Sequence, residues 1–226
     1  MLRAIVFDFD GVIANSEPLH FRAFRDVLAS RDIDLTERDY YARYLGYDDA
    51  GAFHAIATDR GRNFSGVELL GLTAEKAVRM EVLEQDASVL FPGAADTIRR
   101  AAALVPLAIA SGALGAEIRR VLEGADLTQY FQAIVAAEDT RVSKPAPDPY
   151  QRAVALLGQA MHDPELRPAD CVAIEDSRWG IASARAAGLR TVGVTTSYAA
   201  DELAEADLVI GSIGDLDLAS LQRLLS

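Results

Sequence analysis

The stretch Ala4-Ile5-Val6-Phe7-Asp8-Phe9-Asp10-Gly11 decides how this chain is read. Its apolar residues follow one another without polar alternation, as in a strand buried on both faces, and the run closes on two acids and a glycine. The expected strand covers Ala4–Phe9. Runs of the same texture recur at Pro106–Ala110, Ala133–Ala136, Cys171–Ile174, Thr191–Val194 and Leu208–Ile210. Between them lie stretches of helical period: Ala94–Leu104, Ala116–Glu123, Asp148–Leu157, Trp179–Ala187 and Leu218–Leu225. Strand and helix in alternation imply βαβ units, hence an α/β fold with a parallel sheet covered by helices on both faces.

Residues 17–85 break this rhythm and contain no convincing strand. Glu17–Ser30 reads as a helix after Ser16, with Pro18 in its first turn, where proline is tolerated. Thr36 suits the N-cap of a helix over Glu37–Leu45 that Gly46 stops. Val67–Leu83 reads as a further helix, and Phe91-Pro92-Gly93 marks the return to the sheet. The expected organisation is a core of residues 1–16 and 86–226 with an all-helical insert at 17–85.

Half of the 226 residues are apolar, enough for a sizeable core, and the formal net charge is -12. Such an acidic surface argues against nucleic-acid or anionic-membrane partners. The single cysteine, Cys171, rules out an internal disulfide and fits a reducing compartment. Met1–Phe7 is too short for a signal core, and no apolar stretch is long enough to span a bilayer. A cytoplasmic protein is expected. Nothing in the sequence fixes an oligomeric state, and a monomer is compatible with it.

Ligands of open parallel sheets bind at the carboxyl ends of the strands. The first run ends in Asp8-Phe9-Asp10-Gly11, the second in Ser111-Gly112 and the fourth in Glu175-Asp176-Ser177, while the third leads through a polar loop to Lys144-Pro145. Asp8 and Asp10, two apart on an extended chain, point the same way. Carboxylates that close repel unless a cation lies between them, and Asp176 adds a third. Oxygen-only ligands suit Mg²⁺, which keeps waters for a substrate phosphate. Lys144 and the metal would supply the local positive charge that the chain as a whole lacks. Gly11 would let backbone amides approach a phosphate, and Ser111 with the amides after it would be a second phosphate ligand. Taken singly, each has an ordinary reading: a loop Asp-x-Asp, a turn at Ser111-Gly112, acids at a helix N-terminus. Together, in order and each after an apolar strand, they are specific.

With these motifs the sequence resembles the haloacid dehalogenase superfamily. Phe7–Val12 is similar to its first motif, Ala110-Ser111-Gly112 to the second, Lys144-Pro145 to the third, and Ile174-Glu175-Asp176-Ser177 with Gly180 to the fourth. The insert resembles the cap of the subgroup that contains phosphoglycolate phosphatases, sugar-phosphate phosphatases and β-phosphoglucomutases. The resemblance implies a Rossmann-like core and a role for each motif residue. Asp8 would attack phosphorus, and Asp10 would protonate the leaving oxygen and then activate water. Mg²⁺ would be held by the Asp8 carboxylate, the Asp10 carbonyl and Asp176, with Glu175 in support. Ser111 and Lys144, with Gly11 and Gly112, would bind the phosphoryl group. His20 matches a histidine that contacts the acid/base aspartate in β-phosphoglucomutases, though a helix-surface histidine reads equally well. Lys76 matches a lysine late in the cap, against the ordinary reading of a solvated helix lysine.

Gly112-Ala113-Leu114 departs from the serine and lysine that β-phosphoglucomutases place there, and Tyr47-Asp48-Asp49 holds no arginine to grip a second phosphate. Hydrolysis of a small phosphorylated metabolite is therefore the expected activity, with a β-phosphoglucomutase-like phosphomutase as the alternative. A dehalogenase needs no metal, which would leave Asp10 and Asp176 surplus. A phospho-accepting signalling domain is about half this length and has no helical insert. Specificity is expected among Arg43, Tyr44, Tyr47, His54 and Lys76.

Overall fold

The computed structural model describes residues 1–45, 47–85 and 89–225. Six strands, β1 (Ala4–Phe7), β2 (Leu107–Ala110), β3 (Phe131–Val135), β4 (Cys171–Glu175), β5 (Arg190–Val194) and β6 (Leu208–Ile210), form one sheet in the order β3-β2-β1-β4-β5-β6. Every neighbouring pair is parallel, with Val6 of β1 aligned to Ala108 of β2 and to Ala173 of β4. The order reverses beside β1, so the crevice at the carboxyl ends of β1 and β4 is the switch point where such sheets bind ligands.

The chain divides into two compact units, Met1–Asn15 with Leu90–Ser226, and Ser16–Val89. In the first, helices α5 (Ala94–Ala102), α6 (Gly115–Gly124), α7 (Asp148–Ala160), α8 (Arg178–Ala186) and α9 (Leu218–Arg223) accompany the sheet. Side chains of β1, β2 and β4, among them Val6, Ala108 and Ala173, pack with Tyr150, Ala153 and Leu157 of α7 in one buried cluster. Small residues on the strands let α7 lie close, and α7 contributes the bulk.

The second unit is helical: α1 (Glu17–Ala29), α2 (Glu37–Asp39), α3 (Asp49–Asp59) and α4 (Gly66–Gln85), with a π-helical turn at Tyr40–Tyr44 after α2. Its core is largely aromatic. The rings of Phe24 and Phe53 meet edge to face at 4.8 Å, and Tyr40, Ile56 and Leu72 pack in the same cluster. Thr36 caps α2, its hydroxyl accepting from the Asp39 amide at 3.1 Å.

Besides shifts of one or two residues at several element ends, three features depart from the sequence reading. The expected helix over Glu37–Leu45 gives way to the π-turn after one α-turn, and Gly46, read as its stop, lies outside the described residues. Helix α3 has no counterpart in that reading. Its alanines fall on all sides and blur the apolar stripe, while Asp48 caps it by accepting from the Gly51 amide at 2.6 Å. Strand β1 ends at Phe7 rather than Phe9, because the Phe9 carbonyl turns to accept from the amides of Ile13 and Ala14 at 2.8 and 2.9 Å.

Candidate active site

The Asp8 amide still bonds to the Ile174 carbonyl at 2.9 Å, so the β1–β4 pairing carries Asp8 to the switch point. One residue past β4 lies Asp176, preceded by Glu175 at the strand's last position. Asp8, Glu175 and Asp176 are all buried, and each offers a carboxylate oxygen within 4.8 Å of the others. This acidic cluster could hold a metal ion. The turn that ends β1 early alters the expected relation of the two N-terminal acids. Asp8 Oδ1 accepts from the Phe9 amide at 2.7 Å, and the Asp10 carboxylate lies outside the cluster, within 4.8 Å of that of Glu117.

Lys144 enters from the loop after β3, across a cis Lys144–Pro145 peptide. Its ammonium donates to Glu175 Oε1 at 2.6 Å and stands 2.9 Å from Asp8 Oδ1. Glu175 Oε1 also accepts from the Tyr150 hydroxyl at 2.7 Å, and Oε2 accepts from the Ser177 hydroxyl at 3.1 Å. Both oxygens of Glu175 therefore have protein donors, which makes it the anchor of Lys144 and leaves Asp8 and Asp176 as the acids better placed to ligate a metal. Gly180 makes room for this carboxylate, since a Cβ there would fall 1.8 Å from Glu175 Oε1.

Burial, with the charge of Glu175 behind it, outweighs Lys144 and pushes Asp8 up to about 7. Burial and then the charges of Asp8 and Glu175 hold Asp176 well above the usual carboxylate range. Burial alone would pull the Lys144 ammonium down, but the two carboxylates more than reverse this and it stands above the ordinary lysine value. A buried site with more carboxylates than cations favours a divalent cation on oxygen ligands, and the donor set fits Mg²⁺.

Ser111 is buried at the end of β2, where its hydroxyl accepts from the Ala113 amide at 3.0 Å. Helix α6 starts only at Gly115, whose amide donates to the Glu138 carboxylate at 3.0 Å. The amide donors expected directly after Ser111 are thus partly taken by protein acceptors, while Gly112 stays exposed. Gly11 also differs from its expected part. Its amide donates to the Ala14 carbonyl at 2.9 Å, its φ is +76°, and a Cβ on it would fall 1.8 Å from Asp176 Oδ2. The glycine is required by the turn and by the carboxylate beside it.

The sequence reading missed Tyr150, Glu117 and the turn after β5. Tyr150 reads as one more apolar position of α7. The turn carries a visible signal, since the run Thr191–Val194 ends in Thr195-Thr196-Ser197 as the others end in site residues. Thr196 donates to the Gly11 carbonyl, and Ser197 hydrogen-bonds the Asp176 carboxylate.

In the helical unit Lys76 is 2% exposed, which overturns the solvated reading. Its ammonium pairs with Asp49, lies 2.7 Å from His20 Nδ1 and sits 4.5 Å above the Phe24 ring. Because an ammonium only donates, His20 Nδ1 is the acceptor. Tyr44 is buried with its hydroxyl on Asp59, which Arg43 also meets, whereas Tyr47 and His54 are exposed.

Residues 2–188 match the haloacid dehalogenase-like hydrolase family. Protein CbbY of Rhodobacter capsulatus is 34% identical over 99% of this chain and 97% of its own length. Hexitol phosphatase B of Escherichia coli is 31% identical, covering 96% of each chain. The solved structure of CbbY from Rhodobacter sphaeroides in complex with phosphate superposes with a TM-score of 0.82 at 27% identity, over 98% of this chain and 100% of that one. The relatives and the family place this chain among the phosphoric monoester hydrolases. With Asp8, Ser111, Lys144 and Asp176 on the carboxyl ends or following loops of four parallel strands, and the family match spanning most of its length, the chain belongs to the haloacid dehalogenase-like hydrolases.

Proposed function

We propose that this chain is a Mg²⁺-dependent phosphatase that hydrolyses a small phosphorylated metabolite, a sugar phosphate or a similar compound, through an aspartyl-phosphate on Asp8. The supporting observation is the buried Asp8 carboxylate, held by Lys144 and adjoined by Glu175 and Asp176 at the switch point. The phosphatase named among the relatives acts on a hexitol phosphate by its name, which supports the same substrate class here.

In the first step an Asp8 oxygen forms a bond to phosphorus as the bond to the leaving oxygen breaks, and Asp10 gives that oxygen a proton. In the second, water attacks the phosphorus of the aspartyl-phosphate, Asp10 takes its proton, and Asp8 is restored as inorganic phosphate leaves. Lys144 and Ser111 would bind the phosphoryl oxygens, with Gly112 beside them. The Asp8 carboxylate, the Asp10 carbonyl and Asp176 would hold Mg²⁺, and Glu175 keeps Lys144 in place. When bound, the metal supplies positive charge for the equatorial oxygens. Substrate choice is assigned to the helical insert at residues 17–85.

The test is phosphate release from a panel of sugar phosphates, phosphoglycolate and nucleotides, with Mg²⁺ and with excess chelator. Release from at least one sugar phosphate, abolished by chelator and restored by Mg²⁺, is expected. Full activity in chelator would contradict the metal assignment. With a hexose 1-phosphate and a trace of bisphosphate primer, phosphorus NMR should show inorganic phosphate accumulating. Dominant hexose 6-phosphate would make the enzyme a phosphomutase instead, against Ala113, Leu114 and the arginine-free Tyr47–Asp49 stretch.

A further inference from the structure

The turn after β5 ties three parts of the core together. The Thr195 amide bonds to the Ile210 carbonyl of β6 at 3.0 Å. The Thr196 hydroxyl donates to the Gly11 carbonyl in the turn after β1. Ser197 reaches the Asp176 carboxylate after β4, and its Oγ lies 3.0 Å from the point a Gly11 Cβ would occupy, where Asp176 Oδ2 is nearest. Asp176 is repelled by Asp8 and Glu175, and Lys144 is engaged by those two. A fixed hydroxyl donor is what keeps such a carboxylate in one orientation.

We propose that Ser197 is a positioning residue for the metal site, holding the Asp176 carboxylate in its ligating orientation while Thr196 secures the Gly11 turn beneath it. Groups that hydrogen-bond a ligating carboxylate set its direction, and their loss typically weakens metal binding about 10–100-fold. The proposal rests on the Mg²⁺ reading of the acidic cluster, so it is tested by equilibrium Mg²⁺ binding in calorimetry, without substrate or turnover. Ser197→Ala should raise the Mg²⁺ dissociation constant by about tenfold or more. Ser197→Thr, which keeps the hydroxyl, should restore most of that loss, and the thermal midpoint of the metal-free chain should be little changed by either substitution. Native affinity in Ser197→Ala overturns the proposal while leaving the phosphatase reading intact, and so does an equal loss in the Ala and Thr variants. A native chain that binds no Mg²⁺ contradicts the metal reading and this proposal with it.

Discussion

Asp8 is an acid whose surroundings, without a bound cation, favour its proton. Its ordinary value is 3.8, and burial together with Glu175 carries it to about 7 in the folded chain. The folded state therefore binds this proton more tightly than the unfolded state between those values. The resulting stability is fully present below about pH 4 and is lost as the pH rises through about 7. Asp8→Asn has no such proton to lose. Without metal, its stability relative to the native chain should improve between pH 4 and 7 and level off above, read by urea denaturation across that range. A difference independent of pH would mean that Asp8 is not held protonated. In the proposed mechanism Asp8 must be ionised to attack, so a cation beside it, in addition to Lys144, would favour the reactive form. Tyr150 and Glu175 extend the arrangement by one layer each, fixing the lysine that touches Asp8.

Among the elements, the ends of β1, β2 and β4 and the loop after β3 each deliver one part of the candidate site, and this was legible because each part follows an apolar run. The runs ending at Asp8, Ser111 and Glu175, and the one leading to Lys144, named residues that the sheet register brings to one rim. What was not legible depends on contacts between distant segments. Tyr150 reaches Glu175 across 25 positions of sequence, and Thr196 meets Gly11 across 185. No local pattern announces the Tyr150 contact, and the apolar run before Thr195-Thr196-Ser197 marks that turn without naming Gly11 as its partner. Helix α3 escaped for another reason, since scattered alanines weaken the helical period on which such readings depend. Gly180 shows the reverse case, a motif glycine whose purpose only packing reveals. In a helix, alanine would ordinarily be favoured over glycine by about 1 kcal/mol. Here its Cβ would lie 1.8–2.0 Å from the Glu175 carboxyl atoms, so Gly180→Ala should instead destabilise by about 1–3 kcal/mol, as overpacked sites do. Urea unfolding reads the sign directly, and a stabilised Gly180→Ala chain would contradict the packing around Glu175.

For the whole molecule, the contrast is between a surface of net charge -12 and a site that must receive an anion. The fold concentrates its answer at the switch point, where Lys144 and a divalent cation would offset the carboxylates. No helix among the described residues is long and apolar enough to cross a membrane. The family match over residues 2–188 makes the chain a haloacid dehalogenase-like hydrolase, and the six-stranded order with the buried acids at its centre supports the proposed phosphoryl transfer through Asp8. That proposal is tested most directly by phosphate release from Asp8→Asn, because the amide nearly matches the carboxylate in shape but cannot form the acyl phosphate. With Mg²⁺ and a sugar phosphate that the native enzyme hydrolyses, the folded Asp8→Asn protein should release no phosphate above background. Release at a substantial fraction of the native rate would contradict the account.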